Sequence, residues 1–137
     1  MTDLPRLVPD ASVILKWVLD ADDEQDREAA LEILDGWKTG ALELLVPPLW
    51  LFEVGNIVCL KRPGDAELIL TALRGLDLTE MQSASLVSET VSLAVQHGLT
   101  FYDASYLAVA RLHQATLVTA DLRFLRQLPK NAPARPL

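Results

Sequence analysis

The sequence predicts one α/β domain in three layers, α/β/α, built on a mainly parallel central sheet. Short apolar runs of strand length alternate along the chain with longer segments whose apolar residues repeat at helical spacing. Strands separated by helices pair in parallel through right-handed crossovers, which leaves helices on both faces of the sheet. The 137 residues, half of them hydrophobic, are enough for a real core, so we assign residues 1–137 to a single domain.

Five segments are predicted to be strands. They are residues 4–8, 42–46, 76–81, 116–119 and 132–137. The first ends before Pro9, which has no amide proton for a sheet ladder and therefore suits a strand end. Residues 76–81 alternate apolar and polar side chains, and the last segment is predicted to be an edge strand. The order of the strands does not follow from this pattern.

Helices are predicted in the intervals between the strands. The acidic stretch 20–26 serves as a loop and then as the first turn of a helix, where negative charge is favourable. Pro48 suits the first position of the next helix, and Gly98 suits a helix end. Seven helices are predicted. They run from Asp10 to about residue 18, from within the acidic stretch to about 40, from Pro48 to about 61, from Asp65 to about 75, from Ala84 to about 97, from just before Asp103 to about 114, and from Leu122 to about 128.

The overall charge and hydropathy constrain the partners. A formal net charge of −7 opposes binding to a polyanion, although the objection weakens if several acids surround a bound cation. The mean hydropathy of +0.22 indicates that a partner covers some apolar surface. The single cysteine, Cys59, lies in an apolar run and is predicted to be a small core residue.

The sequence also suggests where the protein works. The N-terminus has no basic stretch followed by an apolar core, so no signal peptide is predicted. Residues 44–60 form the longest apolar segment, but Pro47, Pro48 and Glu53 interrupt it, so no membrane span is expected. A cytoplasmic protein is therefore expected.

Four carboxylates stand out by their positions. Asp10 and Asp121 each follow a predicted strand, and ligands of parallel sheets bind beyond the carboxyl ends of the strands. Asp103 lies where a loop turns into a helix. Each aspartate is also a common helix N-cap, and taken singly the capping interpretation is the better one. Capping and metal binding can coexist, because a carboxylate has two oxygens.

Glu53 is harder to explain as a surface residue. Its neighbours from Leu49 to Val58 are apolar around most of the helix, so the helix is predicted to be largely buried. A buried carboxylate is costly unless it has a partner such as a cation. Asn56, one turn later, can hydrogen-bond to a site member. The alternative is a narrow solvent strip that holds Glu53, Asn56 and either Cys59 or Leu60.

Around these acids the sequence resembles the PIN-domain nucleases, and in particular the VapC-type toxins of bacterial toxin–antitoxin pairs. Four segments match in the family's order across nearly the whole chain. They are Asp10-Ala-Ser-Val with Lys16-Trp17 behind it, Glu53-Val-Gly-Asn56, Tyr102-Asp103-Ala-Ser-Tyr-Leu-Ala, and Thr119-Ala-Asp121-Leu-Arg-Phe124. Pro9 departs from the family, which usually has an apolar β-branched residue there.

The resemblance implies a single PIN-like domain and an endoribonuclease that depends on Mg²⁺ or Mn²⁺. It also implies an RNA substrate, 5′-phosphate and 3′-hydroxyl products, a cognate antitoxin and a homodimer. By resemblance, the catalytic and metal-binding residues are Asp10, Glu53, Asp103 and Asp121, supported by Ser12, Asn56 and Thr119. Oxygen ligands of this kind suit both of these hard cations.

Two other functions remain open from the residues themselves. A magnesium-dependent phosphatase also places acids at strand ends, although the haloacid-dehalogenase pattern has a second aspartate where this chain has Ser12. A non-catalytic α/β module that binds a protein partner would use its acids only as helix caps. Metal binding and RNA cleavage distinguish these alternatives.

Overall fold

Five parallel strands form the centre of the molecule in a computed structural model that describes residues 3–19 and 24–137. The strands are β1 (Arg6–Pro9), β2 (Glu43–Val46), β3 (Thr79–Glu80), β4 (Thr116–Thr119) and β5 (Ala134–Pro136). Their order across the sheet is β3-β2-β1-β4-β5. The predicted α/β class and parallel pairing are confirmed.

The central strand β1 has a neighbour on each side. Leu7 is in register with Leu44 of β2 and with Thr116 of β4. Each of the strands β1, β2 and β4 has four residues, of which three are buried. Continuous burial of this kind is typical of parallel strands that are covered on both faces.

The described residues also form seven helices. They are α1 (Ala11–Val18), α2 (Glu24–Lys38), α3 (Trp50–Lys61), α4 (Ala66–Gly75), α5 (Leu86–His97), α6 (Phe101–Leu112) and α7 (Leu122–Gln127). Helix α5 ends as predicted at Gly98, whose φ of 64° lies in the left-handed region that glycine adopts at little cost. The predicted loop at residues 20–23 lies outside the described part of the chain.

Helix α6 is the buried helix of one layer. It packs on β1, β2 and β4, and α5 covers its other side. Every residue from Ala104 to Ala110 is buried as a result. Helix α1 contacts β1 and β4 and packs against α2 and α3, which form the other layer. Because α6 leads directly into β4, its N-terminus lies towards the carboxyl ends of the strands.

Two predicted boundaries are wrong. The third strand spans only Thr79–Glu80, because Asp77 adopts a positive φ of 56° in the turn after α4 and no strand can run through it. Helix α3 begins at Trp50 rather than at Pro48. The Trp50 amide donates to the carbonyl of Pro47 at 3.2 Å, so the prolines form a turn that precedes the helix.

The predicted burial of α3 is also wrong. Trp50, Val54, Gly55 and Val58 are buried, but the opposite side of the helix faces solvent. Phe52 is 71% exposed, and Cys59 is exposed rather than in the core. None of the helices in the described part of the chain is long and apolar enough to cross a lipid bilayer.

Candidate functional site

The strand order creates a crevice at the carboxyl ends of β1 and β4. These strands are neighbours, but the chain leaves β1 towards β2 on one side and leaves β4 towards β5 on the other. Such a reversal opens a gap above the sheet in which ligands of α/β proteins bind. Asp10 and Asp121 are the cap residues that follow these two strands, and the Asp10 amide donates to the Val118 carbonyl at 3.2 Å.

Asp10 is buried at the bottom of this crevice, with 4% of its surface exposed. Its Oδ1 accepts from the amides of Ser12 at 3.0 Å and Val13 at 3.3 Å, which caps α1. Burial raises the pKa of Asp10 to about 6, although hydrogen bonds from Ser12, Thr119 and Val13 oppose the rise; the charge of Asp103 adds to it. The folded protein therefore disfavours the ionised form of this carboxylate.

Ser12 joins the loops that follow β1 and β4. Its hydroxyl donates to Asp10 Oδ1 at 2.5 Å, lies 3.3 Å from Thr119 Oγ1, and accepts from the Ala120 amide at 2.8 Å. Thr119 is fully buried, and its Oγ1 accepts from the Asp121 amide at 3.0 Å. These hydroxyls link the backbone that carries Asp121 to the side chain of Asp10.

Replacing Ser12 with alanine is expected to lower the melting temperature by roughly 3–10 °C. The substitution leaves the Ala120 amide without its acceptor and removes a donor from Asp10, and a lost partner of this kind costs about 1–3 kcal/mol. Ser92→Ala, on the exposed face of α5, is the matched control and should melt within about a degree of wild type. Equal melting of the two variants would contradict this role for Ser12.

Glu53 lies in the first turn of α3 and faces the same crevice. Tyr106, completely buried in α6, donates its hydroxyl to Glu53 Oε1 at 2.9 Å. Burial raises the pKa of Glu53 to about 7; the Tyr106 hydrogen bond lowers it, and the charges of Asp103 and Asp10 raise it further. These interactions show that Glu53 lies beside the two aspartates.

Asp103 connects the remaining acids. Thr100 caps α6 by accepting from the Asp103 amide at 3.0 Å, so capping does not explain Asp103. Burial raises the pKa of Asp103, a hydrogen bond with Thr100 lowers it, and the nearby charge of Asp121 raises it. Asp121 itself is exposed and caps α7 by accepting at Oδ1 from the amides of Arg123 and Phe124.

The structure thus brings together all four acids singled out in the sequence, with Ser12 and Thr119 among them. Asn56 lies on the exposed side of α3, and its side chain makes no hydrogen bond to another described residue. Asp10 and Asp121 are indeed helix caps, but among the described contacts each uses only Oδ1 for this. Capping therefore occupies only one oxygen of each carboxylate.

Sequence reasoning did not assign Tyr106 to the site. It lies within seven consecutive buried residues of α6, a position that by itself indicates only core packing. The signal was its hydroxyl, because a buried tyrosine usually finds a hydrogen-bond partner. The residue one turn before it is Asp103, which indicated where that partner would lie.

The chemistry of this donor set fits a hard divalent cation. All four side chains offer oxygen, and burial, with a further contribution from neighbouring carboxylates, raises the pKa values of Asp10, Glu53 and Asp103. In residues 3–19 and 24–137, no three acidic, histidine or cysteine side chains form a ready-made ligand cage. Mg²⁺ does not require one, because it commonly binds through one or two carboxylates and keeps several waters.

The family model for the PIN domain matches residues 7–129 of this chain. The protein therefore belongs to the PIN domain family, whose match spans every element from β1 to α7. No curated protein matches the sequence.

Solved structures share the fold over nearly the whole chain. PAE2754 from Pyrobaculum aerophilum is 27% identical, with a TM-score of 0.64 over 97% of this chain and 89% of that one. A toxin–antitoxin complex from Klebsiella pneumoniae is 18% identical, with a TM-score of 0.66 over 94% and 95%. VapC20 from Mycobacterium tuberculosis, described as a Sarcin-Ricin loop cleaving toxin, is 18% identical, with a TM-score of 0.65 over 88% and 93%.

Proposed function

We propose that this protein is an endoribonuclease that depends on Mg²⁺ or Mn²⁺ and hydrolyses phosphodiester bonds of RNA. The observation that carries the proposal is the convergence of Asp10, Glu53, Asp103 and Asp121 at the carboxyl edge of the sheet. Burial and mutual repulsion raise the pKa of the first three. A bound cation would offset this excess of negative charge and allow an anionic phosphate to approach.

Each acid has a distinct part in this proposal. Asp10 and Asp103, which lie at the starts of α1 and α6, would bind the cation through their carboxylates. Glu53 is oriented by the Tyr106 hydroxyl, and its carboxylate would bind the cation or hold a proton. Asp121 is exposed at the mouth of the crevice, where it can orient the water that attacks. Ser12 and Thr119 support the acids through hydrogen bonds, and Asn56, one turn after Glu53, could support them only after its side chain turns towards the crevice.

The reaction is a simple displacement at phosphorus. A bound divalent cation supplies Lewis-acid charge to the phosphate and lowers the pKa of a coordinated water. The water oxygen bonds to phosphorus while the bond to the 3′-oxygen breaks, and the water proton passes to a carboxylate. The departing 3′-oxygen takes up a proton, so the products carry 5′-phosphate and 3′-hydroxyl ends.

We further propose that the protein is the toxin of a toxin–antitoxin pair. Membership of the PIN family and likeness to the Klebsiella complex and to VapC20 support this role. The partner is an antitoxin that presents a basic side chain to the four acids. Val87, Val91 and Val95 form an exposed apolar stripe on α5, which supports a homodimer. We expect the protein to act in the cytoplasm, where RNA is present.

Incubation with single-stranded RNA tests the function directly. With an excess of Mn²⁺ or Mg²⁺, cleavage is expected, and EDTA should stop it. Products should be substrates for a 5′-phosphate-dependent exonuclease and should be extended at their 3′-hydroxyl ends by poly(A) polymerase. Release of phosphate from small phosphomonoesters without RNA cleavage would instead support a phosphatase. Absence of Mn²⁺ binding in an equilibrium titration would support a protein-binding module.

A further inference from the structure

A second feature lies at the same edge of the sheet as the four acids. An apolar pocket of about 480 Å³ opens between the segments that follow β2 and β3 and the helices α5 and α6. Its volume falls within the ~300–1,000 Å³ range of small-molecule sites. Its lining includes Pro48 and Leu49 before α3, Gln82 and Ser83 after β3, and Phe101 and Tyr102 at the start of α6.

The pocket adjoins the acids through two elements. Tyr102 immediately precedes Asp103, and Ser105 follows it within the same turn of α6. Leu49 is the cap residue of α3, whose first turn carries Glu53. The pocket and these two acids therefore lie on the same two helices at this edge of the sheet.

The chemistry of the lining favours a base over a phosphate. Among the described residues that line the pocket, none carries a charge. Phe101 and Tyr102 are 44% and 40% exposed, so each offers part of an aromatic face to a ligand. Gln82 and Ser83 can exchange hydrogen bonds with the edge of a base. Single-stranded RNA is recognised through such stacked and hydrogen-bonded bases.

The charge of the protein gives an independent reason. With a formal net charge of −7, the surface repels a polyanion, so contacts to phosphates cannot supply most of the binding free energy. Stacking of a base on aromatic side chains carries no such penalty and is worth ~1–3 kcal/mol per base, about 5- to 150-fold in affinity. In an uncharged pocket beside the acids, stacking of a base can supply the binding free energy that phosphate contacts do not.

We propose that this pocket holds one unpaired base of the RNA, adjacent to the phosphodiester that is cleaved. The inference rests on the proposed function and deepens it, because it makes the pocket a determinant of which RNA sites are cut. The base stacks on Phe101 and Tyr102 while Gln82 and Ser83 contact its edge. Specificity then depends on one nucleotide that must be single-stranded.

Kinetics on a single-stranded 12-nucleotide RNA that the wild type cleaves test the proposal. Phe101→Ala and Tyr102→Ala should each raise KM about tenfold, with kcat within about threefold, because a base held away from the reacting atoms contributes uniform binding. Phe101→Tyr and Tyr102→Phe keep the aromatic face and should retain near wild-type KM. Leu68→Ala, an exposed apolar residue on α4, is the matched control and should change neither constant.

Altered substrates distinguish base binding from a purely structural role of the aromatic residues. A residue that only stabilised the fold would not make KM depend on the presence of one base. Replacing each base in turn by an abasic site should identify one position at which the wild-type KM rises about tenfold. The same abasic RNA should raise the KM of Phe101→Ala little further, because the base and the Phe101 ring are the two partners of one contact. This abasic scan needs no variant, so it decides the question even if truncation of an aromatic side chain unfolds the protein.

The possible outcomes show whether the base-binding pocket alone fails or the proposed function fails with it. If the wild type cleaves no RNA with either cation, the proposed function fails and this inference fails with it. If the wild type cleaves RNA but no abasic position and no aromatic truncation changes KM, only the base-binding pocket is overturned. A change in the sedimentation of Phe101→Ala at unchanged KM would make the pocket a protein interface and would also overturn the inference.

Discussion

Replacing Asp103 with asparagine is expected to reduce RNA cleavage by more than about a hundredfold. Loss of an outer-shell partner of a metal site typically costs about 10- to 100-fold, and we expect the loss of a direct ligand to cost more. Asp103 interacts with Asp10, Glu53 and Asp121, so its removal affects the whole cluster. The measurement is the initial rate with saturating Mn²⁺, compared with Glu67→Gln on the exposed face of α4, which should retain full activity.

The same substitution should not weaken the metal-free protein. Burial and the charge of Asp121 disfavour ionised Asp103, so a neutral isostere relieves a penalty at neutral pH. The Thr100 hydroxyl still caps α6, because it accepts from the backbone amide of residue 103. The melting temperature at pH 8 in EDTA should therefore equal or exceed that of wild type. An inactive variant that melts well below wild type would point to misfolding, and an active variant would refute the assignment.

Addition of Mn²⁺ or Mg²⁺ is expected to raise the melting temperature on the order of 10 °C at pH 8. A ligand present at about 100 times its Kd stabilises the native state by about 2.7 kcal/mol, which in a domain of this size corresponds to a shift of that order. The cation neutralises carboxylates that the native state otherwise holds ionised at a cost. Differential scanning fluorimetry at constant ionic strength measures the shift, with K⁺ replacing the divalent cation as the control.

The stabilisation by the cation should depend on pH in a defined direction. In the native state the pKa values of Asp10 and Glu53 are raised to about 6 and about 7, so the unfolded chain ionises first as pH rises from about 4. The metal-free fold therefore loses stability between about pH 4 and pH 7; for buried Asp10 the loss is about 3 kcal/mol.

Within this window, protons compete with the cation for the same oxygens. At pH 5 the rise in melting temperature should therefore shrink to a small fraction of its value at pH 8. An equal rise at both values, or a full rise in the Asp10→Asn, Asp103→Asn double variant, would place the cation elsewhere on the protein.

Local signals were sufficient to predict most elements and to single out two of the four acids. Asp10 and Asp121 were identifiable because they combine a strand end with a helix start, and the structure confirms both features. The glycine that ends α5 was equally clear. These signals depend on residues that are neighbours in sequence, so no tertiary information was required.

Features that depend on packing could not be predicted. The strand order is decided by which helices cover which face, so the reversal between β1 and β4 was not readable. Helix α3 is apolar around most of its circumference, and composition cannot show that Val54 and Val58 face inwards while Phe52 and Cys59 face solvent. The bond from Tyr106 to Glu53 joins residues that are 53 positions apart. Each of these depends on the assembled molecule.

The pairing of β1 with β4 has a consequence for how the protein is made. Ser12 and Thr119 are 107 positions apart, and β1 pairs with β4 in the middle of the sheet. At a synthesis rate of about 5–20 residues per second, the N-terminal strand waits roughly 5–20 s for this neighbour. Until then the chain on the ribosome lacks Asp121. The central strand β1 also lacks its hydrogen bonds to β4, on one of its two sides. The four acids can therefore meet only after Asp121 has been synthesised and has left the ribosome.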